Sequence, residues 1–168
     1  MNPLDDFLRL HDIEVLRVEH PAVMTVAEAA LLVPEMAGAK AKNLFLREGK
    51  TDRFLLAVVP YEKRVDLEAL ARALGSAKLT LASTEQLLSV LAVTPGAVSL
   101  LALFNDKEHR AKPVLDRLIW EAEGLQCHPL VNTATLSLTS SGLRHFLANT
   151  GHEPMVLDVP TRDQASAA

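Results

Sequence analysis

The chain has 168 residues, 49% of them hydrophobic and 23% charged, which suits one compact domain whose core needs no metal or disulfide staple. Its single cysteine, Cys127, excludes an internal disulfide, and its longest apolar run, Phe54 to Val59, falls far short of the roughly 20 residues of a membrane helix. Asp5 and Asp6 stand where a secretory signal would be basic, and a net charge of −4 argues against coating nucleic acid through a global positive field, so a cytoplasmic protein is expected.

Asn2 with Pro3 behind it reads as an N-cap and a first-turn proline, and Leu4, Phe7, Leu8 and His11 share one face of the helix they open. Val15 to Glu19 alternates like a strand. His20 and Pro21 lie in the loop after it, and Thr25 with Glu28 forms a capping box for a short helix through Leu32. Residues 41–59 read as a hairpin buried on both faces around the turn Glu48-Gly49-Lys50, the expected centre of a sheet. Between Lys40 and Arg53 the segment carries Lys40, Lys42, Arg47, Lys50 and Arg53 against only Glu48 and Asp52. That suits a small anionic ligand or one end of a nucleic acid, although on charge alone a solvated hairpin is the simpler account. Leu67, Leu70, Ala71 and Leu74 have helical spacing that stops at Gly75, Lys78 to Leu81 is a short strand, and Ser83 with Gln86 opens a helix carrying Leu87, Leu88 and Leu91. Ala97 to Leu103, Gln126 to His128, Thr133 to Leu138 and Met155 to Val159 read as further strands, and Leu143, Phe146 and Leu147 as the inner face of a last helix. Helices and strands interleave without a strict βαβ rhythm. The expectation is an α/β fold with a mixed, largely antiparallel, curved sheet flanked by helices, formed by residues 1–160 as one domain with 161–168 as a flexible tail.

Six histidines are present, but His11, His20, His109, His128, His145 and His152 never fall in a metal-binding spacing, so no metal and no cofactor are expected. Cys127 and His128 are adjacent, and on a strand neighbouring side chains point to opposite faces, which separates thiol from imidazole. Cys127 is better read as a small buried hydrophobe. The sequence has no Gly-x-Ser-x-Gly elbow, no Walker loop and no Gly-x-Gly-x-x-Gly fingerprint. An enzyme built on this chain lacks an obvious side-chain nucleophile.

What remains are polar residues at the ends of apolar strands. His20-Pro21 is followed by Thr25-Val26-Ala27-Glu28-Ala29, then by the block Gly38 to Leu46 with Lys42-Asn43 inside it, the loop Gly96-Ala97-Val98-Ser99, the segment His128-Pro129 to Thr135, and Gly151-His152-Glu153-Pro154. In this order they resemble the aminoacyl-tRNA editing domains, the family that includes the YbaK proteins and the insertion domain of bacterial prolyl-tRNA synthetase. The set looks most like the free-standing alanyl-tRNA(Pro) deacylase branch, also called PrdX or ProXp-ala. Leu100 departs from the pattern, since relatives commonly carry proline there.

The resemblance implies a YbaK-like fold and a hydrolase that removes a wrongly attached amino acid, here alanine, from the acceptor end of tRNA(Pro), with prolyl-tRNA synthetase as a further partner and neither membrane nor DNA involved. An aminoacyl ester is already activated, so a placed water, oxyanion donors and a hold on the terminal adenosine suffice, with a ribose hydroxyl of the tRNA assisting the water. Under the resemblance Lys42 anchors a terminal phosphate, where the plain alternative is a solvated strand-end lysine. Asn43 adds a hydrogen bond near the same end or is a local turn residue. Gly96 lets its backbone approach the amino acid moiety, with Ala97, Val98 and Ser99 lining the same loop. His128 serves as a hydrogen-bonding wall or a positioner for water, while His20 and Thr25 are further binding candidates, the Thr25 hydroxyl being also a helix cap. The rival readings are a cysteine- or serine-specific deacylase of the same family and a non-catalytic module that binds tRNA or a synthetase. Lys42, Gly96 and His128 together favour a working site over the latter.

Overall fold

Asn2 Oδ1 accepts the Asp5 N–H at 2.9 Å, and with Pro3 in its first turn helix α1 (Pro3–Leu10) sets Leu4 and Leu8 into the core. The computed structural model describes residues 2–22 and 26–162, without the side chains of Val26, Ala29 and Ala30. Strand β1 (Val15–Glu19) and the short helix α2 (Val26–Leu32) follow as expected, and the Thr25 side of the expected capping box lies outside the described residues. Strands β2 (Ala41–Glu48) and β3 (Phe54–Pro60) form the hairpin. Helix α3 (Leu67–Leu74) starts on an Asp66 cap and ends on Gly75 at φ 65°, a left-handed conformation that glycine adopts without strain. Then come β4 (Leu79–Leu81) and α4 (Thr84–Leu91), the latter opened by the full Ser83–Gln86 capping box.

The next segment departs from expectation. Ala97 to Leu103 is not a strand but the body of two 3-10 turns, Pro95–Ala97 and Leu100–Asn105. Ser99 Oγ accepts the Leu101 N–H and starts the second turn, while Leu100, Leu101, Ala102 and Leu103 are all buried. An apolar run without alternation fits a buried strand and a buried helical turn equally well, and here the serine cap decided it. Strand β5 (Ala111–Asp116) and helix α5 (Arg117–Trp120) were not anticipated, because Pro113 speaks against a strand. Pro113 is tolerated where β5 pairs with β3 alone, since β8 joins only from Val114 onward. Strands β6 (Gly124–Cys127) and β7 (Ala134–Thr139), helix α6 (Ser140–Thr150) and strand β8 (Met155–Leu157) complete the chain. Thr161 and Arg162 still pair with Val65 and Arg64, so backbone order extends two residues past Pro160, and residues 163–168 lie outside the description.

The strands form two sheets where one was expected: an antiparallel β1-β7-β6 and a mixed β4-β2-β3-β5-β8, joined by a parallel bridge between Ala39 and Leu125. Four of the six strand pairings are antiparallel, which keeps the fold mixed α/β and largely antiparallel. The hairpin strand β3 is the centre of the larger sheet. Its Phe54, Leu56 and Val58 face one core, shared with Leu125, Leu136, α4, α6 and the 3-10 turns, while Leu55, Ala57 and Val59 face a second core closed by Leu70 and Ala71 of α3. Each buried Leu, Val or Phe side chain among them contributes roughly 1.5–3 kcal/mol from leaving water. Both faces of β2 and β3 are thus anchored, and the strand ends stand as fixed platforms.

Candidate active site

The segment leading into β2 is held by β6 and β7. Gln126 Nε2 donates to the carbonyls of Met36 at 2.9 Å and Gly38 at 3.2 Å, Ser137 Oγ donates to Ala37 O at 2.6 Å, and Ala39 exchanges backbone hydrogen bonds with Gly124 and Gln126. Gly38 takes φ 107°, and a Cβ there would stand 3.0 Å from the Leu125 carbonyl carbon, so this crossing requires glycine. From the Ala39–Leu125 bridge the two chains run in the same direction, which carries Asn43 along one and His128 along the other. Along β2 the pleat alternates: Ala41 and Phe45 belong to the core with Ala97, Val98, Cys127 and Leu130, and Asn43 lies between them on that face. Its Oδ1 is buried and has no hydrogen-bond partner among the described residues. An unmet buried acceptor costs about 1–3 kcal/mol, a cost that a fold retains where a ligand or solvent donor is to be met.

A histidine pair forms where β1 and β6 end and β7 begins. His20 is buried, donates from Nδ1 to the Pro21 carbonyl at 2.9 Å, and accepts the Thr135 hydroxyl on Nε2 at 2.8 Å. A carbonyl can only accept, so the proton sits on Nδ1 and both ring nitrogens are used. His128 lies edge to face with it at 6.4 Å between ring centroids and donates from Nδ1 to Ala134 O at 3.0 Å. In the neutral ring this leaves Nε2 as an acceptor, with no partner among the described residues. The 96–99 loop is tied to the same place, because Ser99 Oγ donates to the His128 carbonyl at 2.6 Å.

The structure thus brings together His20, His128, Thr135 and the loop Gly96 to Ser99, with Asn43 on β2, the strand that runs parallel to β6 from the Ala39–Leu125 bridge. Gly96 is half-buried in the first 3-10 turn, Ala97 is buried, and Val98 packs against the core. The Ser99 hydroxyl is committed twice to holding the loop, and His20 is saturated, which makes both supports of the wall. Lys42 does not share this wall: it pairs with Val59 and points to the α3 face, half-buried, with no ion pair among the described residues. Thr25 lies outside the described residues. Cys127 is buried, and burial pushes its thiol up to about 12, far from a thiolate at neutral pH. Gly38, Gln126, Ser137 and Thr135 were not singled out from the sequence as site residues. Gly38, inside the Gly38 to Leu46 block, and Thr135, at the end of the His128 to Thr135 segment, carried a readable signal, whereas Gln126 and Ser137 act through pairings that fold topology creates. Gly151-His152 is a structural corner: His152 is buried between Asp106 Oδ2 at 3.0 Å and Thr150 Oγ1 at 2.9 Å. Among the described residues no three His, Cys, Asp or Glu side chains gather into a metal site, and no helix is long and apolar enough to cross a membrane.

Comparison with known proteins adds to this geometry. The profile of the aminoacyl-tRNA editing domain matches residues 20–146. The chain is 39% identical over 156 residues to the prolyl-tRNA synthetase associated domain-containing protein 1 of Danio rerio, covering 92% of this chain and 84% of that one. It is 32% identical over 135 residues to the prolyl-tRNA editing protein ProX of Acetoanaerobium sticklandii, covering 80% and 82%. Among solved structures, a candidate trans-editing enzyme for prolyl tRNA synthetase has the same fold at a TM-score of 0.69 and 22% identity, covering 97% of this chain and 99% of that one.

Proposed function

This chain belongs to the aminoacyl-tRNA editing domain family, and from that premise we propose that it is a trans-editing hydrolase releasing alanine from mischarged tRNA(Pro). The observations that carry this reading are the buried, unpartnered Oδ1 of Asn43 and the open acceptor Nε2 of His128, on two segments that run parallel from the Ala39–Leu125 bridge. An aminoacyl-adenosine end brings the donors this wall lacks, namely ribose hydroxyls, an α-ammonium group and the water to be activated.

Hydrolysis of this ester needs no protein nucleophile. Water held at His128 Nε2 attacks the ester carbonyl, the bond to the ribose oxygen breaks, and alanine leaves with a free hydroxyl restored on the tRNA. The neighbouring ribose hydroxyl assists that water. Asn43 Oδ1 accepts from the α-ammonium or a ribose hydroxyl and fixes the ester in register. Lys42 reaches the terminal phosphate past the end of β2 as a flexible point charge. Gly96 to Ser99 close the amino acid pocket, small enough to exclude proline by size. Against glycine the same pocket has one methyl contact to use, worth roughly 1 kcal/mol or about tenfold in rate. The editing unit spans residues 1–160, works where tRNA is charged in the cytoplasm, and has prolyl-tRNA synthetase as its natural neighbour.

The test is a deacylation panel with alanine, glycine, serine, cysteine and proline each charged on tRNA(Pro), run in chelator. Alanine is expected to be released fastest, glycine and serine more slowly, and proline spared; Gly96→Val is expected to block alanine release while tRNA binding persists. Rapid hydrolysis of the prolyl ester by the wild type, or preference for cysteine or serine, would overturn the alanine assignment.

A further inference from the structure

The turn joining β2 to β3 lies at the far end of the larger sheet from Asn43, about 17 Å along β2 at roughly 3.3 Å per residue. A cleft of about 470 Å³ opens there, lined by Arg53, His109, Arg110 and Lys112, with Glu48 as its carboxylate and Phe54 among its apolar walls. This is a local concentration of cations in a chain of net charge −4. The Arg110 guanidinium is held over the Phe54 ring, 5.5 Å from its centroid. Its ion-pair partner is Asp52 Oδ1 at 3.5 Å, and that carboxylate is 92% exposed, so the pair is weak and easily displaced by another anion. Arg53 and Lys112 are exposed and make no ion pair among the described residues.

From this geometry we propose that the cleft binds the phosphate backbone of the tRNA acceptor arm, making it a second, non-catalytic contact for the same substrate. The proposal rests on the reading of tRNA as substrate. Leu55 and Val114 place the cleft on the α3 face of the sheet, the face to which Lys42 also points, so the two basic positions share one face. A single small anion would engage the cleft alone. A polyanion with its ester at one end of β2 and phosphodiesters trailing towards the other engages both, and cations that contact backbone rather than bases hold it without reading sequence.

The experiment measures binding of uncharged tRNA(Pro) over a salt series, for the wild type and for Arg53→Ala/Lys112→Ala, whose exposed positions leave the core untouched. The double variant is expected to bind about tenfold more weakly at low salt, with a log–log salt slope smaller by about 1.5 to 2. It is expected to hydrolyse the alanyl ester of the terminal CCA trinucleotide, too short to span β2, at the wild-type rate. Unchanged tRNA affinity and slope, or an equal loss on the trinucleotide, would overturn the proposal. So would weakened capture of purified prolyl-tRNA synthetase with tRNA binding unaltered, which would assign the cleft to an acidic protein surface. Failure of the deacylase reading appears separately, as no alanine release from either substrate by the wild type, and the uncharged-tRNA measurement still decides the cleft.

Discussion

Two pairs of histidines meet edge to face in this fold, and they do different work. His109 and His152 approach to 4.7 Å at the corner between β5 and α6, where His152 uses both ring nitrogens, on Asp106 and Thr150, and His109 Nε2 bonds the Thr150 carbonyl. Asp106 also accepts the backbone N–H groups of Arg110 and Ala111, so its carboxylate is saturated. His20 and His128 approach to 6.4 Å, where His20 is saturated but His128 keeps an acceptor open. A histidine whose nitrogens are all satisfied braces a fold. His128, part-buried with a nitrogen left over, is the histidine we propose to act on the substrate.

The sharpest test of this contrast is His128→Ala, expected to lower deacylation about a hundredfold while costing the fold only about 1 kcal/mol from the lost bond to Ala134. Single-turnover release of alanine beside a urea titration measures both. A protein that unfolds with its activity per folded molecule intact would put His128 in the same class as His152.

Asp106→Asn is expected to do the reverse, destabilising the fold by about 2 kcal/mol at pH 7 with turnover per folded molecule unchanged. Burial pushes the Asp106 carboxyl up, but the hydrogen bonds from His152, Ala111 and Arg110 outweigh it and hold the group below its ordinary value. A carboxyl depressed in the folded state stabilises above its unfolded pKa, about 3.9, and that contribution is lost as pH falls through the folded pKa. The deficit of Asp106→Asn is therefore expected to shrink as denaturant titrations move from pH 7 to below pH 4. A deficit independent of pH would mean that the charge on Asp106 contributes nothing.

Asn43→Leu sharpens the comparison from the other side. Replacing an unsatisfied buried acceptor by an apolar group of similar size is expected to raise stability by about 1 kcal/mol while cutting deacylation about tenfold. Lower stability together with full activity would show that the oxygen is already satisfied and not held for a ligand. The smallest effect is reserved for Cys127→Ser, whose buried thiol stays protonated at neutral pH: deacylation per folded molecule is expected to be unchanged, and a collapse would restore a thiol nucleophile.

Most of the local structure here follows from residues close together in the chain. Caps such as Asn2-Pro3 and Ser83 with Gln86, the stop at Gly75 and the hairpin of β2 and β3 depend on residues close in the chain, whose hydrogen bonds and backbone limits act wherever the segment ends up. Of the ordered blocks that carried the resemblance, those around His20, Gly96 and His128 meet in the fold. Only tertiary structure decided how those residues are used. The run Ala97 to Leu103 became 3-10 turns, the second started by the Ser99 cap, whose hydroxyl also bonds the His128 carbonyl from 29 residues away, and Pro113 entered a strand because β8 begins pairing one residue later. Lys42 and Asn43 are neighbours in sequence on opposite faces of one sheet. Which histidine nitrogen stays free is set by partners such as Thr135, Asp106 and Ala134, brought into reach by strand pairing and packing, and no local pattern around a histidine encodes which partner it will meet.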